Sequence, residues 1–155
     1  MDFTSHTQIH ISFRPTRPQL IKVINKDPKH KPGTHWVAAY VDPQTKNCAY
    51  FDSYGLRPNN KYITAFFNLN GNSCDFNIEN LQGPCSNVCG LYTLFFCYHI
   101  ARGRSLNEIV RYFDTKTKAL NDKKVAKFVR IIYKHSLPQV RTDSQCYIQT
   151  STPKK

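Results

Sequence analysis

Leu81-Gln82-Gly83-Pro84-Cys85-Ser86-Asn87-Val88-Cys89-Gly90-Leu91-Tyr92 decides how this chain reads. It sets a Gln seven positions ahead of a Cys-Gly pair. The Cys opens a proline-free segment, Cys89 to Arg102, that is apolar nearly all round. That pattern predicts a helix buried in the middle of a domain. A thiol in the first turn of a helix faces free N–H groups and the positive end of the dipole, and both favour the reactive thiolate. A Gln amide just upstream can donate a hydrogen bond to a developing oxyanion.

Upstream lies Gly33-Thr34-His35-Trp36, and 17 positions after the His comes Asp52, in Phe51-Asp52-Ser53-Tyr54. Trp36 to Asp42 and Asn47 to Ser53 read as paired strands, with Pro43-Gln44-Thr45-Lys46 as the turn. A four-residue loop sets Asp42 opposite Asn47 and His35 opposite Tyr54. Asp52 then lies diagonally across from His35 on the same face. Diagonal neighbours are about 7–8 Å apart at Cα, within reach of an imidazole and a carboxylate.

Cys89, His35 and Asp52 with a Gln donor are the parts of a thiol hydrolase. Cys89 is the expected nucleophile and His35 the general base, with Asp52 orienting the imidazole. Gln82 and the backbone N–H of Cys89 are the expected oxyanion donors. Gly90 follows the nucleophile, where a side chain would crowd an approaching carbonyl. Trp36 is expected either over the His35 ring or as plain core. Taken singly, each residue has an ordinary explanation: a buried Cys, a turn Asp, a solvated loop Gln. Their joint spacing carries the functional reading. His99 lies ten positions beyond Cys89 in the same predicted helix, about 15 Å along its axis, too far to serve as its base.

The chain has 155 residues, 40% of them hydrophobic, which predicts one domain with a real core. Its net charge of +12 points to a polyanion nearby, most often nucleic acid, although the basic residues are scattered and no base-reading motif is present. The first ten residues lack the apolar core of a secretory signal, and no apolar run approaches the ~18 residues that cross a bilayer. The six Cys do not form paired knuckles for zinc. Reduced thiols are expected, with Cys85 as a plain loop thiol or, less readily, half of a regulatory disulfide.

Residues 1–18 read as a flexible polar arm, 19–138 as the folded domain and 139–155 as a polar basic tail. Within the domain, Leu20 to Ile24 reads as a strand, Lys61 to Asn68 as a helix and Cys74 to Ile78 as a further strand. Ser105-Leu106-Asn107-Glu108 has capping-box spacing for a helix through about Phe113. Asn121 or Asp122 is expected to cap a last helix whose Val125, Phe128, Val129 and Ile132 form one apolar stripe.

By Gly33-Thr34-His35-Trp36, Tyr50-Phe51-Asp52-Ser53-Tyr54-Gly55, Leu81-Gln82-Gly83-Pro84 and Cys89-Gly90, in that order, the chain resembles the adenovirus-type cysteine endopeptidase (adenain) family. It is similar to the versions carried by Maverick/Polinton elements and related animal DNA viruses. The likeness runs from about Ile21 to Tyr133, with the last two helices matching loosely. It implies an α+β fold related to papain by rearranged chain order, in which a central helix carrying the nucleophile packs on a mixed sheet. SUMO-specific proteases share that arrangement. It also implies cleavage of viral capsid and core precursors near small residues, often Gly, in the host nucleus and the virion. No cofactor or metal is expected for the chemistry and no membrane is expected as a partner. DNA and a viral activating peptide are the implied stimulators. In the family such a peptide can bond to a Cys upstream of the nucleophile, and Cys74 sits near that position among residues that match poorly. The region before His35 is short for the family, which implies that part of the substrate cleft is absent or rebuilt. Two rival readings are an isopeptidase that removes ubiquitin-like tags and a catalytically idle, basic, DNA-associated virion protein.

Overall fold

The structure, a computed structural model, describes residues 19–27 and 34–133. The expected arm 1–18 and tail 139–155 lie outside the described residues, as do His6, His10, His30 and His135. Eight elements follow one another: β1 (Leu20–Asn25), β2 (Trp36–Val41), β3 (Asn47–Phe51), α1 (Lys61–Asn70), β4 (Ser73–Phe76), α2 (Cys89–Ile100), α3 (Leu106–Val110) and α4 (Lys118–Tyr133).

The strands form one mixed sheet in the order β1-β2-β3-β4. β2 is antiparallel to both β1 and β3, whereas β4 runs parallel to β3. The β2–β3 register pairs Val41 with Cys48 and Ala38 with Phe51, which is the register of a four-residue loop. Asp42 N–H donates to Asn47 O at 2.9 Å across that turn.

Both faces of the sheet are covered, because successive strand side chains point to opposite sides. Val37, Ala39, Val41 and Tyr50 pack with Ile63 and Phe67 of α1 on one face. Val23, Ala38, Ala49 and Phe51 pack with α2 on the other. There Phe51 and Phe96 stack with ring centroids 4.9 Å apart. α2 lies between the sheet and the pair α3 and α4, which is why it is apolar on every side. The core thus holds the helix that opens with Cys89 against the strands that His35 and Asp52 flank.

Three expectations need correction. The capping box at Ser105 and Glu108 forms in full, but α3 ends at Val110 rather than near Phe113. α4 begins at Lys118, so Asn121 and Asp122 lie inside it and are buried, not capping it. Val125 and Val129 are core, whereas Ile132 is 37% exposed at the end of the helix.

Candidate active site

Cys89 is the first residue of α2 and is buried. Val88 before it contributes no capping side chain, though its carbonyl accepts from Leu91 N–H at 2.9 Å, and the positive helix end lies beside the sulfur. His35 and Asp52 immediately flank β2 and β3 at one end of the hairpin. His35 Nε2 and Asp52 Oδ1 are 2.8 Å apart. The diagonal relation expected from the turn length therefore becomes a direct hydrogen bond.

Asp52 is fully buried, and its carboxylate is well served. Its Oδ1 also accepts from Tyr54 N–H at 2.8 Å. Its Oδ2 lies 3.5 Å from the Tyr50 hydroxyl and 3.8 Å from Lys26 Nζ. Asn77, at the end of β4, grips the Asp52 backbone from both sides: it accepts from Asp52 N–H at 3.0 Å and donates to Asp52 O at 2.7 Å. Gly55 closes the turn at φ +70, and a Cβ there would meet Ile78 O at 2.5 Å, so this close approach needs glycine.

With Nε2 committed to Asp52, the second ring nitrogen of His35 is left for another partner. Nδ1 is buried and makes no hydrogen bond among the described residues. Burial works against the charged ring, but hydrogen bonds to Asp52 and Cys89, backed by their charges, raise its pKa from 6.5 to about 9. Cys89 moves in the opposite sense. Burial pushes it up, yet the His35 hydrogen bond, the backbone N–H groups of Trp36 and Gly90, and the imidazolium charge bring it below its ordinary value. A thiol and an imidazole displaced in these opposite directions favour the thiolate–imidazolium pair, the reactive form of a cysteine nucleophile.

Gln82 is fully buried, and its amide is oriented by two bonds. Its Oε1 accepts from the Ser53 hydroxyl at 2.7 Å, and its Nε2 donates to Ser86 O at 2.9 Å. An amide nitrogen carries two hydrogens, so one donor remains for another acceptor. The backbone is held as well: Leu81 N–H and Gln82 N–H both donate to Ser53 O, at 2.8 and 3.1 Å.

The ring beside His35 is Tyr54, with centroids 5.0 Å apart. Trp36, one candidate for that place, instead packs on the core and adjoins α2. A Cβ on Gly90 would lie 3.9 Å from the Trp36 indole, an ordinary contact, so packing within the chain does not demand glycine there. Cys74 is a free, half-buried thiol beside Cys48 in the β3–β4 register. Burial first, then Cys48 and Asp75, raise its pKa to about 12. Cys85 is disulfide-bonded, the less favoured of the two expectations for it. Among the described residues no group of His, Cys, Asp or Glu is placed to hold a metal.

Sequence reasoning missed Ser53, Asn77, Tyr92, Asn121 and Asp122 as partners of the site. Asn121 and Asp122 carried a readable signal. They fall four and three positions before Val125 on the apolar face of α4, where polar residues call for buried partners.

A central helix that opens with Cys89 and abuts a mixed sheet whose β2 and β3 are flanked by His35 and Asp52 is the arrangement of a papain-related α+β fold. The adenovirus endoprotease family model matches residues 12–111, and the chain belongs to that family. It is similar to the protease of Bovine adenovirus 4, 28% identical over 102 residues that cover 55% of this chain and 50% of that protein. It is also similar to the protease of Ovine adenovirus D serotype 7 (isolate OAV287), 26% identical over 94 residues covering 50% of this chain and 46% of that one. The chain thus spans about half the length of the curated relatives it matches. Among solved structures, the ASFV pS273R protease superposes with a TM-score of 0.51 at 19% identity, covering 69% of this chain and 43% of its own, a likeness of fold.

Proposed function

We propose that this chain is a viral cysteine endopeptidase that works through a Cys89–His35–Asp52 triad. The observation that carries this reading is the His35 ring, bonded to Asp52 through Nε2 at 2.8 Å and near enough to Cys89 for each to shift the other's pKa. The Cys89 thiolate attacks the scissile carbonyl, and its charge passes to the carbonyl oxygen. Gln82 Nε2 and the Cys89 N–H receive that charge. His35, protonated, gives its proton to the leaving amine as the C–N bond breaks, leaving a thioester on Cys89. It then takes a proton from water, which attacks the thioester and returns the thiolate. Asp52 holds the ring and offsets the imidazolium charge.

Family membership supports viral capsid and core precursors as substrates, cut near small residues such as Gly, in the host nucleus and virion. The +12 charge supports DNA as a stimulating polyanion. Lys123, Lys127 and Arg130 add to this as an exposed stripe on α4 at helical spacing. An activating viral peptide bonded at Cys74 is the remaining element. With its thiol held near pKa 12, exchange there is slow until a peptide displaces the local packing.

The test uses the full chain with a viral core precursor and, beside it, a protein carrying a ubiquitin-like tag. Precursor cleavage is expected, abolished by Cys89→Ala and lowered roughly 10²–10⁴-fold by His35→Ala. Cleavage of the tag alone would move the reading to an isopeptidase. Cleavage that survives Cys89→Ala would end it.

A further inference from the structure

We infer that Tyr92, Asn121 and Asp122 are positioning residues for the Gln82 amide, tying it to the helix that carries Cys89. The inference rests on the reading of Gln82 as an oxyanion donor. All three side chains are buried, and a buried polar group costs stability unless it is bonded. Apolar residues would suit the core better. Their hydrogen bonds instead converge on the segment around Gln82.

The Leu81 carbonyl, just before Gln82, accepts from the Tyr92 hydroxyl at 3.0 Å and from Asn121 Nδ2 at 3.1 Å. The Gly83 N–H, just after it, donates to the two Asp122 oxygens at 3.4 and 3.3 Å. Tyr92 lies 2.9 Å from Asp122 Oδ1, which joins the two clamps. Asn121 spends its remaining capacity on the turn before α4, donating to Asp114 O and accepting from Asp114 N–H. Gln82 is therefore pinned on both flanks from α2 and α4, while Ser53 holds its own backbone and Oε1. Tyr92 sits three residues after Cys89 in α2, so the loop takes its position from the nucleophile's own helix. An oxyanion donor must be held to about 0.5 Å, and such placement is what these bonds supply.

Two rates on one sulfur test this. S-alkylation of Cys89 by iodoacetamide needs the thiolate–imidazolium pair but no oxyanion donor. Acylation by an activated N-acylglycine ester needs both. Cys89→Ala supplies the background from the other thiols. In the full chain, Tyr92→Phe and Asp122→Ala are each expected to slow acylation about 10-fold. The rate and pH profile of alkylation should stay unchanged, and Asp122→Asn should recover most of the loss. Adding Tyr92→Phe to Gln82→Ala should cost nothing further, because Tyr92 acts only through the Gln82 donor. Equal loss of the two rates, unchanged acylation, or failure of both variants to fold would overturn the inference. If Gln82→Ala itself leaves acylation intact, the oxyanion reading falls and takes this one with it. If Gln82→Ala slows acylation and Tyr92→Phe does not, only this inference falls.

Discussion

Ser53 holds Gln82 at two points: its hydroxyl donates to Gln82 Oε1 at 2.7 Å, and its carbonyl accepts from Gln82 N–H at 3.1 Å. Ser53 directly follows Asp52, so one turn after β3 carries the carboxylate behind His35 and the hydroxyl that aims the amide. Ser53→Ala leaves the buried Oε1 without its donor and frees the amide to rotate. Acylation of Cys89 is expected to slow by about 10-fold with the substrate KM little changed. A KM rise with unchanged kcat would contradict this.

Gln82→Ala removes the donor itself. The expected loss is about 10²–10³-fold in kcat, the usual effect of deleting one oxyanion donor, read in steady-state peptide cleavage.

The opposed shifts of His35 and Cys89 set a pH window. His35 rises from 6.5 to about 9, so its contribution to stability is complete below pH 6.5 and is lost as pH climbs through about 9. Cys89 is lowered, so its contribution is present above its ordinary 9.0 and is lost as pH falls through its depressed value. Cleavage needs thiolate and imidazolium together. Its profile should be a bell with an alkaline limb near pH 9 and an acid limb below the ordinary thiol value. A single acid limb with no alkaline fall would refute the pairing.

Cys89→Ala removes one of the hydrogen bonds and one of the charges that raise His35. The His35 ring, followed by NMR, is expected to titrate clearly below about 9 in the variant, with the Asp52 bond keeping it partly raised. An unchanged titration would mean that thiol and ring are not coupled.

Phe96 is fully buried and stacks on Phe51 at the junction of α2 and the sheet. Phe96→Ala should cost roughly 3–5 kcal/mol, measured by the urea midpoint, through lost burial and the cavity left behind. A loss under 1 kcal/mol would show that the helix is not seated on the sheet as described.

The parts legible in the sequence are those set by short-range rules. Four turn residues fixed the β2–β3 register, and with it the meeting of His35 and Asp52. The apolar circumference of Cys89 to Ile100 marked the buried helix, and Ser105 with Glu108 marked the capping box. The illegible parts depend on partners far apart in the chain. Asn77 reaches Asp52 across 25 positions, and Asn121 reaches Leu81 across 40. Asn121 and Asp122 were misread because a polar residue near a helix start looks the same whether it caps the end or is buried one turn inside. Their alignment with Val125 and Val129 distinguishes the two cases. The ring beside His35 was equally open, because Trp36 and Tyr54 both neighbour it, one along the chain and one across the hairpin.

The loop around Gln82 leans on α4, yet the family match ends at residue 111, ahead of that helix. On the proposed mechanism, the smallest competent unit is therefore longer than the stretch that bears Cys89, His35, Asp52 and Gln82. A fragment cut at 111 would keep Cys89, His35, Asp52 and Gln82 but lose Asn121 from the Leu81 carbonyl and Asp122 from the Gly83 N–H. Changes in the last helix, remote from any substrate, would be felt first as a failure to stabilise charge, before any failure to form the thiolate.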